Sequence, residues 1–378
     1  MSVFSGDIIP AAVRREAGRL SAYDLFGLGR NSTYGLKDLL EVVLEAAAAN
    51  SSIEYKAGSP DADTVLYHLK GKLSVEKSEG MLKHFVKRNV ELARRRFGGR
   101  RFAVAIDYTD EMYYGDSDNP CVVGTKPKAG SSYAFQYFTA SIVTDKCRFF
   151  LYAYPVFERG NTYVHVERLL ALLDELGVRV HVLLMDREFN DSKTILLLTE
   201  NSVNYITPAD NDDRFARAVK TTGKLPALVK GWRIADVAET NLVILDEDGE
   251  IFGYFTNLPK GLYEEDAFVL AELYAKRWGI ETAHRVEDEF RIRTTTPHGI
   301  IRYLFFVISV LIYNIWVWAN LNFNPNSKTP ILVEEIKDIL RQTLKTSSTQ
   351  TVNAYDWLSR LGDSITRKTV YAPKPQTA

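Results

Sequence analysis

The stretch HVLLMDREFN, residues 181–190, decides how the rest of the chain is read. Val182 to Met185 make an apolar run that suits a buried strand. Asp186 ends the run, with Arg187 and Glu188 directly behind it. A carboxylate at a strand end costs little as a solvated turn residue. It takes on a second meaning where other carboxylates meet it.

Working outward, NTYVHVERLLALLDELG before the strand has the spacing of an amphipathic helix, with Asn161 or Thr162 as its cap and Gly177 at its close. DSKTILLLTEN is the next helix and VNYITPAD a further short strand. Upstream, RFAVAID is an apolar run ending on Asp107, and SYAFQYFTASIV and CRFFLYAYPV are aromatic and β-branched strands. The order β-β-β-α-β-α-β predicts an α/β fold with a mixed five-stranded sheet flanked by helices. A strand reached through a helical crossover lies parallel to its neighbour. If the fourth strand returns beside the first, Asp107 and Asp186 stand at adjacent carboxyl ends, where ligands of open α/β sheets collect. Two like charges there call for a cation, and hard divalent ions take oxygen ligands.

Residues 210–262 break the alternation and read as a small β-rich insertion, with DEDG as a hairpin turn. EEDAFVLAELYAKRWGIETAHRVEDEFRIR then predicts one long helix. On it Tyr274, Arg277, Glu281, Arg285 and Asp288 fall on one polar face. Taken alone this is an ordinary salt-bridged surface, but it offers Glu281 as a third acid. YLFFVISVLIYNIWVWANL, residues 303–321, is long enough to span a bilayer. Ser309 and Asn314 within it favour a buried core helix. A shorter helix follows near 332–344, and the tail from about 346 is expected to be loosely ordered.

The expected domains are a helical unit at 1–100, an α/β core beginning at 101–209, the insertion at 210–262, further helices, Glu281's among them, at 263–345, and a tail at 346–378. In the first unit, Lys72 to Arg101 hold ten basic and three acidic residues, Arg94, Arg95 and Arg96 among them. Such a cluster is either a solvated helix face or a phosphate-contact surface. Net charge is −1, so a polyanion must be met by local patches rather than a global field. Cys121 and Cys147 make no disulfide or zinc pattern, and the first twenty residues have no signal-peptide pattern.

The motifs AIDYTDEMYYG, LLMDREFN and YAKRWGIE, in this order, resemble the DDE-type insertion-sequence transposases, which have an RNase H-like catalytic domain. The third carries the Tyr-x-x-Arg-x-x-x-Glu signature of one large group of them. The resemblance implies that Asp107, Asp186 and Glu281 hold Mg2+, or Mn2+, for cleavage at element ends and strand transfer. It implies double-stranded DNA as partner (terminal inverted repeats and target), a homodimer in the DNA complex, no membrane, and action in the prokaryotic cytoplasm at the nucleoid. Tyr274 and Arg277 would contact phosphates near the cleaved bond. Arg187, Arg94, Arg95, Arg96 and the Lys126 and Lys128 of GTKPKAG are further backbone candidates, though GTKPKAG also reads as a plain loop. The group's signature continues with a lysine seven residues after the glutamate; here that position is Asp288, leaving Arg285, Arg291 or Arg293 to supply the charge.

Rival readings are weaker. A haloacid-dehalogenase-type phosphatase needs an acid two residues after its nucleophile, where this chain has Thr109. A two-carboxylate glycosidase rests on acid count alone. The alternative that stays open is a domesticated, catalytically silent DNA-binding derivative of a transposase.

Overall fold

The computed structural model describes residues 25–55, 60–97, 101–144, 148–324 and 329–346; Cys147 and the tail beyond 346 lie outside them. Among the described residues three helices come first: α1 (Leu36–Ala49), α2 (Ala62–Lys72) and α3 (Val75–Phe97). The sheet begins with β1 (Arg101–Met112), β2 (Val123–Lys128), β3 (Ser131–Val143) and β4 (Arg148–Val156). Then come α4 (Thr162–Glu175), β5 (Arg179–Leu184), α5 (Ser192–Glu200) and β6 (Tyr205–Pro208).

β1 is antiparallel to β3 and parallel to β5, and β5 is parallel to β6. With β4 beside β3, these are the five strands expected, in the arrangement expected. The sheet is wider than that, with nine strands. GTKPKAG is not a loop: it forms β2 and the turn into β3, with Ala129 and Gly130 at positive φ. The β-rich segment, α6 (Asp213–Thr222), β7 (Ala227–Ile234), β8 (Ala238–Glu247) and β9 (Glu250–Thr256), is not a separate sheet either. β9 pairs antiparallel with β6, so the meander continues the central sheet and covers an edge whose backbone groups would otherwise be unpaired. The turn between β8 and β9 is where DEDG placed it, with Asp248 at φ 54° and Gly249 at 86°, as a two-residue hairpin of mirror-image type requires.

The expected long helix is broken. α7 (Phe268–Ala275) and α8 (Trp278–Glu287) are separate, and the apolar α9 (Gly299–Phe323) and α10 (Val333–Thr346) follow. α9 packs on α3, β4, β3 and α8. Among the described residues it is the one helix apolar and long enough to cross a membrane, and 89% of its most apolar window is buried inside the fold. Asn314 explains how it sits there: its side-chain amide exchanges two hydrogen bonds with the Phe150 backbone of β4, at 2.9 and 3.0 Å.

Strand alternation sorts the two faces of the sheet. Tyr137 of β3 stacks on Phe306 of α9 at 4.1 Å, and Thr139 points the same way. Phe138 points to the opposite face, where it stacks on His165 of α4. Asp107 is paired with Thr139, so it faces the side of α8 and α9.

Candidate active site

The parallel pairing of β1 and β5 runs to Ala105 opposite Leu184. Asp107 and Asp186 each lie two residues beyond that last pair, so the two acids come off the same end of neighbouring parallel strands. The sequence reading ended the first strand at Asp107. The structure corrects this: β1 continues to Met112, because DYTDEM keeps its antiparallel ladder with β3 after β5 has ended.

Asp186 leaves its strand and caps a 3-10 turn, Arg187–Phe189, by accepting from the Arg187 N–H at 2.6 Å. Thr207 Oγ1 donates to its carbonyl at 3.2 Å. Phe189 is buried and stacks on Tyr108 at 4.8 Å. The charges that follow the apolar run are therefore the exposed side of a turn whose third residue is nailed to the core. Glu188 is exposed there, a turn residue as expected.

Glu281 is delivered by α8. The hydrogen bonds at Arg277, Gly279 and Ile280 reach back three residues rather than four, which is the break between α7 and α8. Gly279 brings α8 close to the sheet: a Cβ there would stand 2.8 Å from Arg148 Nε and 3.1 Å from Val143 Cγ1.

Arg277 sits between the acids. Its side chain is only 7% exposed. Nη2 donates to Glu281 Oε1 at 2.7 Å and Nη1 lies 3.8 Å from Asp107 Oδ2. Neither Nε nor Nη1 has a hydrogen-bond partner. Asp186 is within its electrostatic reach, and Tyr274 lies beneath it, ring centroid 5.6 Å away. Burial pushes Asp107 up to about 6, with the charges of Asp186 and Glu281 adding to the rise and those of His284 and Arg277 opposing it. One guanidinium thus faces three carboxylates that it does not fully satisfy.

The other sequence candidates divide. Arg94 donates to the Leu176 and Gly177 carbonyls and Arg96 to Leu321, closing helix ends. Arg95 is exposed, as are Lys126 and Lys128 on β2. Arg187 is exposed, 3.9 Å from Asp210. At the signature lysine position Asp288 binds Arg293 at 2.9 Å. Arg293 also donates to Asn50 at 3.0 Å, and Arg291 is buried against Glu287, which leaves Arg285 exposed on α8, one turn after Glu281. Sequence reasoning missed His284, Thr139 and Glu287; the three-residue spacing of Glu281, His284 and Glu287 was the available signal.

Residues 120–315, more than half of the chain, match the family described as "Transposase DDE domain". The chain belongs to that family. The matched span holds Asp186, Tyr274, Arg277 and Glu281 and begins beyond Asp107. No curated protein matches the chain. Among solved structures, it is similar to a piggyBac transposase in a synaptic complex with hairpin DNA, studied by cryo-EM. The identity is 12% and the TM-score 0.52, over 99% of this chain and 85% of that one, a likeness of fold. The mixed sheet flanked by helices is thus that of a transposase catalytic domain, and the family's work is DNA transposition. DDE transposases generally use a divalent metal. Asp107, Asp186 and Glu281 offer only carboxylate oxygens, which suit a hard divalent cation. Among the described residues, no three acids, histidines or cysteines already converge on one ion position; the positive charge between the acids is Arg277.

Proposed function

We propose that this chain is the transposase of an insertion sequence, cutting DNA at the ends of its element and joining the freed strand to target DNA. The observation that carries the reading is the pair of aspartates that each lie two residues past the last β1–β5 pair, met by Glu281 across a buried guanidinium with two unpartnered donor atoms. In this reading Asp107, Asp186 and Glu281 hold Mg2+ or Mn2+. Bound there, the ions supply charge neutralisation and alignment for in-line displacement at phosphorus.

The rest falls to the chain itself. Water attacks the phosphodiester at the element's end, the bond to the 3′ oxygen breaks, and the 3′-OH so freed attacks a target phosphodiester in the same site. Arg277 offers a planar fork to a phosphate near the scissile bond, and Tyr274 supports it from below. Arg285 takes the place of the signature lysine. Arg95, Arg187, Lys126 and Lys128 are exposed cations for the backbone further out. Joining two ends requires two copies of the chain, hence a homodimer on DNA, in the cytoplasm of a prokaryotic host.

The test is cleavage of a labelled duplex carrying the element's own end, with Mg2+ or Mn2+ against EDTA, wild type beside Asp186→Ala. Metal-dependent nicking that the variant lacks is the expected result. Binding without cutting in both proteins would favour the domesticated DNA-binding derivative instead.

A further inference from the structure

Behind the acids lies a polar chain that the cleavage mechanism does not use. Thr139 Oγ1 donates to the carbonyl oxygen of Asp107 at 3.1 Å. That hydroxyl has one proton, so its 2.9 Å contact with His284 Nε2 requires Nε2–H to be the donor. The imidazole packs against Phe150, with ring centroids 4.9 Å apart. Its other nitrogen, Nδ1, is buried without a hydrogen-bond partner and faces Glu287 Oε2 at 3.9 Å. Glu287 is fully buried and in turn held by Arg291 and by Ser309 of α9. His284 shares α8 with Glu281, one turn away, while Thr139 and Asp107 are cross-strand partners on β3 and β1.

We infer that His284 is a positioning residue: it locks the rotation of α8 against β1 through Thr139 and so sets Glu281 relative to Asp107. The inference rests on the reading of the three acids as the cutting centre. The ring is the one polar side chain of α8 that grips the strand pair carrying Asp107 without meeting the acids' own oxygens, and the Glu287–Arg291–Ser309 cluster keeps it from turning away. A misplacement of about 1 Å between reacting groups costs on the order of 10²-fold in rate.

The experiment compares wild type, His284→Ala, His284→Gln, Thr139→Val and the His284→Ala/Thr139→Val double variant in end cleavage, with DNA affinity measured separately. His284→Ala is expected to lower the turnover about 10²-fold with affinity unchanged. The Gln amide N–H reaches Thr139 in place of Nε2–H and should restore most of the rate. Thr139→Val should match His284→Ala, and the double variant should be no worse than either, since both break one link. A merely structural role would move affinity and thermal midpoint together and would show no rescue by Gln.

Side-chain ¹⁵N spectra of the full-length protein read the contact without any cutting. Nε2 of His284 should be protonated and should shift in Thr139→Val. A wild-type rate for His284→Ala, no rescue by Gln, additive losses in the double variant, or a neutral Nδ1–H tautomer would each overturn the inference. A wild-type protein that never cuts, with the NMR contact present, would bring down the reading of the acids instead, and the positioning role along with it.

Discussion

Each end of α8 carries an arginine and a glutamate four residues apart, Arg277 and Glu281 at its start and Glu287 and Arg291 at its close. The closing pair is complete. Glu287 is fully buried, Arg291 Nε donates to it at 3.1 Å, Arg291 Nη2 and Ser309 Oγ complete its partners, and Phe306 lies under the guanidinium at 4.8 Å. Burial alone would raise the Glu287 pKa, yet the charge of Arg291, with His284, holds it below the ordinary value. The opening pair is incomplete. Arg277 is nearly as buried, faces three acids, and leaves two donor atoms unpartnered, while burial drives Asp107 up. A closed cluster is a strut that ties α8 to α9. A cluster with unmet demand for charge and hydrogen bonds is where a ligand belongs.

Breaking the opening pair should harm chemistry and spare the fold. Glu281→Gln is expected to lower metal-dependent end cleavage by about 10⁴-fold, the scale of removing one member of a catalytic set. Its stability in urea should shift by no more than about 1 kcal/mol, because Glu281 is partly exposed. A Glu281→Gln protein that still cuts ends at the normal rate would refute the assignment.

Breaking the closing pair should do the reverse. Glu287→Gln leaves Arg291 buried beside a neutral partner and should destabilise the protein by about 3–5 kcal/mol, measured as a fall in the urea midpoint. The same pair sharpens the contrast through pH. With its folded pKa below 4.5, Glu287 contributes stability that is full above that value and lost as pH falls through the folded pKa. The difference in stability between wild type and Glu287→Gln should therefore hold from pH 7 down to the ordinary glutamate range and shrink only as the pH falls below it.

Between the two pairs, Gly279→Ala tests how closely α8 must approach. Its Cβ meets Arg148 and Val143, and overpacking of this kind costs about 1–3 kcal/mol. Calorimetry should show the lower midpoint, with cleavage reduced beyond what unfolding explains. The smallest effect is expected outside both pairs. Arg285→Ala should weaken DNA binding about equally for all sequences and lower the slope of log affinity against log salt by about one, read by titration at several salt concentrations. A loss confined to one sequence would make Arg285 a base reader instead.

Much of this was legible in the residues. The five central strands were readable from period and composition, and so was the neighbourhood of Asp107 and Asp186, since a helical crossover leaves few topologies. The buried fate of α9 was readable from Ser309 and Asn314, which now bond Glu287 and the Phe150 backbone. The DEDG hairpin was readable from turn chemistry. β2 was not, because GTKPK has the polarity of a loop and becomes a strand only through its partner β3. The break after Ala275 was hidden by continuous helical periodicity.

The sequence by itself determined the element types, the order of the three acids and the spacing that puts Arg277 and Glu281 on one helix face, because these depend on local period and on chain connectivity. Tertiary structure alone decided that the insertion widens the sheet to nine strands, that Arg277 is buried among the acids while Arg94 and Arg96 close helix ends, and that His284 reaches Thr139. The same arginine is a solvated surface charge or a buried counter-ion according to what packs over it, and burial is a property of the assembled layers that no spacing along one segment records.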